Sequence, residues 1–287
     1  MFGVFCYYVM SVIKVQNISK HFGSLKAVDD LSFEVQAGQV FGFLGQNGSG
    51  KSTTIRMLLS LIHPTSGQIE IFGKRIEKDR EAILEQVGAI IERPDLYPYL
   101  SAREHLELFA KVLKQKIGEA DINATLEKVG LAHRAKDKVQ TFSLGMKQRL
   151  GIANALLQPR QLLILDEPTN GLDPQGTREV RTLIRDLAAQ GITIFISSHL
   201  LLEIEQICTH LAVMSQGKIV AQGSVEELSK AEVLSLNLFT AQTDLALAGL
   251  KSVGITATAD GEHITATVPG GQIEPERIVA VLVELGV

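Results

Sequence analysis

The feature that most constrains this chain is a nearly unbroken apolar run, Val40–Leu44, that passes directly into Gly45, Gln46, Asn47, Gly48, Ser49, Gly50, Lys51, Ser52 and Thr53. An apolar run without polar alternation reads as a strand buried on both faces. The glycines after it let the backbone curl until several N–H groups point at one place. A helix opening at Lys51–Ser52 adds its positive N-terminus to the same spot. Residues 45–52 match the pattern G-x-x-x-x-G-K-[ST], whose physical purpose is to hold a polyphosphate. In that chemistry Lys51 reaches the β- and γ-phosphates and Ser52 holds Mg²⁺. A strand before the loop and a helix after it set this match apart from a chance glycine-rich turn.

Two further apolar runs deliver polar residues in the same way. Leu162–Leu165 ends in Asp166 and Glu167. Two adjacent carboxylates at the end of a buried strand are costly without a partner, and Mg²⁺ is a fitting one. Asp166 is the candidate metal ligand, directly or through water. Glu167 is the candidate that orients or deprotonates an attacking water. Ile192–Ile196 ends in Ser197, Ser198 and His199. In open α/β sheets the ligand sits at the carboxyl ends of the strands, so His199 is the candidate sensor of the γ-phosphate.

The remaining pattern alternates strands and helices, which indicates a mainly parallel α/β sheet. Strands are expected at Ile13–Ile18, Leu31–Val35 and Gln68–Phe72. Helical patterning runs from about Ser101 to Leu157, and an amphipathic helix over Thr177–Gln190 is closed by Gly191. Ser224 and Glu227 form a capping box that opens a short helix. Beyond it, Ile255–Ala259 and His263–Val268 alternate apolar residues with threonine around Asp260-Gly261-Glu262, a hairpin signal. A helix follows at Glu274–Leu285.

With 287 residues the chain has room for one large domain and a small one. A net charge of −4 gives no general attraction to nucleic acid or anionic lipid. The cysteines, Cys6 and Cys208, supply neither a disulfide framework nor metal spacing, which suits a reducing cytoplasm. Outside residues 1–10, which are apolar and read as a possible upstream extension ahead of a natural start at Met10, no long uncharged apolar run suggests a membrane span.

These three strand ends, together with Thr141–Arg149, resemble the ABC transporter ATPases. The order is the family's: phosphate loop, a Ser-x-Gly segment, Asp-Glu, then His. Ser143 and Gly145 match the family's serine and second glycine, while Leu144 departs from its first glycine. Read alone, Ser143 is an ordinary helix N-cap. Asn170, Gly171, Leu172 and Asp173 match the segment through which the family's two subunits meet, which makes Asp173 a dimer contact. Phe22 sits where the family stacks an aromatic ring on adenine. Glu92, in place of the family's usual glutamine, with Tyr97, Pro98 and Tyr99 after it, resembles the bacitracin-resistance and lantibiotic-immunity exporters. There Glu92 would accept from a metal-bound water; the plainer reading is a surface carboxylate.

The resemblance covers about residues 12–228. It implies a P-loop NTPase (RecA-like) fold: a mainly parallel sheet with antiparallel β and helical subdomains, plus a small C-terminal α+β domain. The expected division is an ATP-binding domain at 11–229, with a helical arm at about 93–160, and an accessory domain at 230–287. The implied cofactors are ATP and Mg²⁺. The implied partners are a second ATP-binding subunit, which closes a nucleotide sandwich through Ser143–Gly145, and an integral membrane permease at the cytoplasmic face, with Tyr97, Tyr99 and Leu100 as contact candidates. The implied work is export of a peptide antibiotic or other amphipathic compound. An importer motor, or a soluble ABC ATPase acting on nucleic acid or the ribosome, stands as the alternative; the latter lacks support from heptads or a basic patch.

Overall fold

The computed structural model describes residues 11–269, apart from 114, 231, 232, 241, 253, 254 and 262. The extension expected at 1–10 and the helix expected at 274–285 lie outside the described residues. The chain divides into two compact units between Gly223 and Ser224.

The first unit opens with long antiparallel strands, β1 (Ser11–Phe22) and β2 (Leu25–Gln36), joined at Gly23. β3 (Val40–Gly45) follows and runs into α1 (Lys51–Leu58). The chain then returns to the first sheet through β4 (Ser66–Ile71) and the short β5 (Lys74–Arg75), giving the order β2-β1-β4-β5. After α2 (Arg80–Leu84) and β6 (Val87–Ile90) comes a helical excursion. It comprises α3 (Ala102–Ala110), α4 (Glu119–Lys128), two single 3₁₀ turns and α5 (Leu144–Ala155), separate helices where a helical stretch was expected. The chain re-enters the second sheet with β7 (Leu162–Asp166), α6 (Pro174–Ala189), β8 (Thr193–Ser198), α7 (Leu201–Ile207), β9 (His210–Ser215) and β10 (Lys218–Ser224).

That second sheet has the order β10-β9-β3-β8-β7-β6, and β9, β3, β8, β7 and β6 pair in parallel. β3 is almost wholly buried, and β7 and β8 are buried throughout, as their apolar runs require. Phe33 of β2 meets Phe41 and Phe43 of β3 and Phe195 of β8 at ring-centroid distances of 5.5–6.0 Å. This aromatic layer fastens the antiparallel sheet to the parallel one, directly beneath the strand that carries the phosphate loop.

Helix ends follow local chemistry. Ser101 and Glu104 form a capping box at α3. Asp173 caps α6 with Pro174 at the first helical position, so this helix begins earlier than its apolar periodicity alone suggests. Within α3, His105 is fully buried against Phe109 at 4.8 Å and Tyr97 at 6.0 Å. Burial pushes its pKa down to about 4, so the ring is neutral at neutral pH.

The second unit starts with α8 (Val225–Lys230), where Ser224 and Glu227 exchange the expected reciprocal hydrogen bonds. β11 (Val233–Phe239), α9 (Thr243–Ser252), β12 (Thr256–Asp260) and β13 (His263–Pro269) then form an antiparallel sheet of order β11-β13-β12 with a helix against it. Among its described residues Ala246, Leu250, Ile255, Ile264 and Ala266 are buried. The expected hairpin is present; β11 and α9 were not foreseen.

Candidate nucleotide-binding site

The parallel register builds the site. Leu44 lies opposite Ser198 and Asp166 opposite Ser197, so β3, β7 and β8 end together. Their ends bring the phosphate loop, Asp166-Glu167 and His199 to one edge. A cleft of about 550 Å³ is lined by Phe22, Asn47, Gly48, Gly50, Lys51, Ser52, Thr53, Glu167 and Gln216, among others. A neighbouring hollow of about 480 Å³ takes in Gly45, Gln46, Ser49 and His199. Phe22 is 52% exposed at the cleft wall, which disposes of a core role for this ring.

Two glycines in the loop are compelled by space. A Cβ on Gly50, whose φ is +107°, would lie 2.5 Å from the carbonyl oxygen of Ala27. One on Gly45 would lie 2.6 Å from that of Met214. Any side chain at either place would push the loop away from the strands that hold it. Within this loop Lys51 is buried. Its Nζ donates to the carbonyl oxygens of Gly45 at 2.6 Å and Gln46 at 3.2 Å, and lies 3.5 Å from Oε1 of Glu167. An ammonium held this way is a fixed positive charge at the head of α1.

Asp166 is 1% exposed. Its Oδ1 accepts from Ser197 Oγ at 2.5 Å, whereas Oδ2 is buried without a hydrogen-bond partner. A carboxylate oxygen left unsatisfied costs free energy of the order of 1–3 kcal/mol. A divalent cation would satisfy it, so the residue present fits Mg²⁺.

Glu167 sits in the left-handed region at φ +50°, a conformation that costs of the order of 1–3 kcal/mol for a residue with a Cβ. Its backbone N–H, donating to Ser197 O at 3.2 Å and Ser197 Oγ at 2.9 Å, holds it there. The strained backbone turns the carboxylate into the cleft. Oε2 meets His199 Nδ1 at 2.8 Å, so one carboxylate bridges His199 and Lys51. A role for Ser197 escaped the sequence reading. The available signal was a pair of serines at a strand end, both of which prove to be buried.

The other candidates are not brought to this cleft. Ser143 caps α5, its Oγ accepting from Met146 N at 3.2 Å. Gly145 is buried, and a Cβ there would lie 2.9 Å from the Cα of Gly176, so it lets α5 and α6 approach closely. Asp173 Oδ1 accepts from Gly176 N at 2.9 Å. Glu92, at φ +61°, is 66% exposed and pairs with Arg56 at 2.7 Å. In this structure Glu92 is the surface carboxylate of the plainer reading.

Residues 28–170 match the ABC transporter family. The bacitracin transport ATP-binding protein BcrA of Bacillus licheniformis is 52% identical over 221 residues, covering 77% of this chain and 72% of that protein. The chain belongs to the ABC transporter ATP-binding subunits. As a member of that family it is an ATPase and binds nucleotide. The lantibiotic transport ATP-binding protein SrtF of Streptococcus pyogenes is 40% identical, covering 79% of this chain and 96% of its own. Among solved structures, cbiO1 from Clostridium perfringens, part of the ABC transporter complex cbiONQ, superposes with a TM-score of 0.70. It is 29% identical and covers 76% of this chain and 90% of its own. The P-loop NTPase fold with its antiparallel and helical additions is therefore the family's fold.

For an ABC ATPase the arrangement has a direct chemical reading. The cleft offers a positive charge suited to phosphate and a carboxylate beside an imidazole suited to water, and at the adjoining strand end Asp166 keeps one buried carboxylate oxygen without a partner.

Proposed function

We propose that this ABC ATPase powers export of a peptide antibiotic through a membrane permease at the cytoplasmic face. The similarity to the bacitracin transport protein over three quarters of the chain carries this reading, and the similarity to the lantibiotic transport protein supports it. No helix among the described residues is long and apolar enough to cross a membrane, so the pore would belong to another chain. Tyr97 and Tyr99, both exposed, and Leu100 beside them are the contact we assign to that permease.

Within the cleft, Phe22 would stack on adenine and Gly45–Thr53 would wrap the phosphates, with Lys51 against the γ-phosphate. Ser52 and Asp166 would hold Mg²⁺, and Glu92 would reach it through water after leaving Arg56. When bound, Mg²⁺ supplies neutralisation of phosphate charge and alignment of the leaving oxygen. Glu167 would take the proton of the attacking water. His199 would hydrogen-bond the γ-phosphate, giving up its contact with Glu167 and freeing that carboxylate.

Ser143, Gly145 and Asp173 lie outside the single-chain cleft. We assign Ser143 and Gly145 to the nucleotide held by a second subunit, and Asp173 to the meeting of the two. A helix N-terminus capped by Ser143 is suited to a γ-phosphate. ATP would bind the closed pair better than the open one and so shift the population towards it, and hydrolysis would reverse the shift. The C-terminal unit carries no catalytic constellation among its described residues, and we assign it a regulatory or dimer-stabilising role.

The test is a pull-down of tagged Glu167→Gln protein with ATP from solubilised host membranes, paired with antibiotic sensitivity of cells carrying wild type or variant. Recovery of a polytopic membrane protein together with loss of peptide-antibiotic resistance in the variant is expected. Recovery of ribosomes, DNA or soluble protein alone would remove the transport reading and leave the ATPase.

A further inference from the structure

Glu203 lies one helical turn beyond His199, in the first turn of α7, and is 9% exposed. A carboxylate so buried needs partners. One oxygen, Oε2, accepts a short hydrogen bond from Oγ1 of Thr169, itself buried. The other, Oε1, lies 3.8 Å from Nη2 of Arg181 on α6. Arg181 in turn donates to the Gln206 side chain of α7. Thr169 belongs to the segment that follows β7, two residues after Glu167. It is also the centre of that segment's turns: Asn170 N donates to Glu167 O at 3.1 Å and Leu172 N to Thr169 O at 3.2 Å.

The segment 167–169 and the segment 199–203 are therefore tied twice. The first tie is Glu167 to His199 at 2.8 Å, inside the cleft. The second is Thr169 to Glu203, buried and away from the residues that line the cleft. These ties respond differently to nucleotide. An anionic γ-phosphate would compete with the Glu167 carboxylate for His199 and for Lys51, so the first tie is the one that bound ATP would break. The second touches no group that faces phosphate and persists. Without it, the left-handed turn at Glu167 would keep its N–H contacts to Ser197 and the local bond from Asn170 N, with no side-chain tie to the segment that carries His199 at the moment when its carboxylate must stand still beside water.

We infer that Glu203 is a positioning residue for hydrolysis: through Thr169 it holds the Glu167 carboxylate in register with His199 after nucleotide has broken the direct contact between them. This rests on Glu167 being the general base. The carboxylate is required in preference to an amide because one oxygen accepts from the threonine hydroxyl while the other faces Arg181, and a charge-assisted bond is the stronger one. Thr169 is required for its hydroxyl.

The experiment measures steady-state ATP hydrolysis, ATP affinity and thermal unfolding of the full-length chain as wild type, Thr169→Val, Thr169→Ser, Glu203→Gln, the Thr169→Val/Glu203→Gln double variant, and Glu167→Gln. Thr169→Val and Glu203→Gln should each lower kcat by about 10- to 100-fold, the scale of a slightly misplaced catalytic group, with KM and ATP affinity within about threefold of wild type. Thr169→Ser should restore kcat to within about threefold, because the hydroxyl is kept. The double variant should be no slower than the worse single one, as for two ends of one contact. Unchanged kcat in folded Thr169→Val, or a loss confined to unfolding temperature, overturns the inference, and Glu203→Gln reports the same contact from its other end should the valine variant fail to fold. Glu167→Gln separates the two ideas. If it turns over normally, the general-base reading fails; if it is inactive while Thr169→Val is fully active, only the positioning role does.

Discussion

Two regions of the first unit carry the residues expected to meet nucleotide, and they are built differently. At the strand ends, Lys51 and His199 meet the Glu167 carboxylate at 3.5 and 2.8 Å, and Asp166 stands beside it, held by Ser197. At the heads of α5 and α6, Ser143, Gly145 and Asp173 are occupied in their own chain as caps and as a close helix crossing. The first region has a buried oxygen without a hydrogen-bond partner, on Asp166. The second has its hydrogen bonds made. Preorganisation within a chain and completion by a second chain would leave different physical traces, and the proposed roles assign one to each region.

The sharpest way to break that contrast is at the converged region. Glu167→Gln should lower kcat by about 10²- to 10⁴-fold, the range of a lost general base, while ATP binding is retained; size-exclusion chromatography with ATP should show the variant held as a dimer. Normal turnover would mean that the strained turn serves something other than water activation.

At the second region, Ser143→Ala removes a cap and should cost about 1 kcal/mol of stability. If the serine also faces a partner's nucleotide, kcat should fall by about tenfold or more, beyond what such a stability loss explains. Equal kcat for the folded variant would leave Ser143 a cap alone. Gly145→Ala addresses the crossing beneath it. The new methyl meets Gly176, and denaturant unfolding should show a loss of about 1–3 kcal/mol, as for overpacking elsewhere.

The arm offers a pH test that the strand-end site does not. His105 has a folded pKa lowered from 6.5 to about 4, so between these values the unfolded chain binds the extra proton. Stability should therefore be full above about pH 6.5 and fall as pH drops towards 4. His105→Leu should flatten that slope in thermal unfolding, and an unchanged slope would place its origin in other groups. The smallest effect is expected at the surface. Glu92→Gln breaks an exposed pair with Arg56 and should change stability by about 0–1 kcal/mol. A marked change in the Mg²⁺ dependence of turnover would show instead that Glu92 visits the metal during the cycle.

Much of this was legible in the residues. Val40–Leu44, Leu162–Leu165 and Ile192–Ile196 announced buried parallel strands because only a strand covered on both faces can be apolar throughout. The glycines, lysine and serine of 45–52 announced a phosphate loop because its backbone geometry excludes side chains, as the contacts at Gly45 and Gly50 bear out. Caps at Ser143 and Ser224 are local events, written within four residues of sequence; the cap at Asp173, equally local, was missed in favour of a dimer contact.

Tertiary structure alone decided the rest. Strand order is not a local property, so only the sheet could place Asp166 beside Ser197 and leave one carboxylate oxygen bare. The bridge from Glu167 to both Lys51 and His199 spans segments far apart in the chain. So does the tie between Thr169 and Glu203, two residues that look like an ordinary loop threonine and an ordinary helix glutamate. Burial turned Glu203 from a solvated charge into a fixed anchor, and exposure lets Glu92 pair with Arg56 in this structure. A sequence records which groups a chain owns; the surrounding dielectric and the neighbours that set each group's task exist only once the chain has folded.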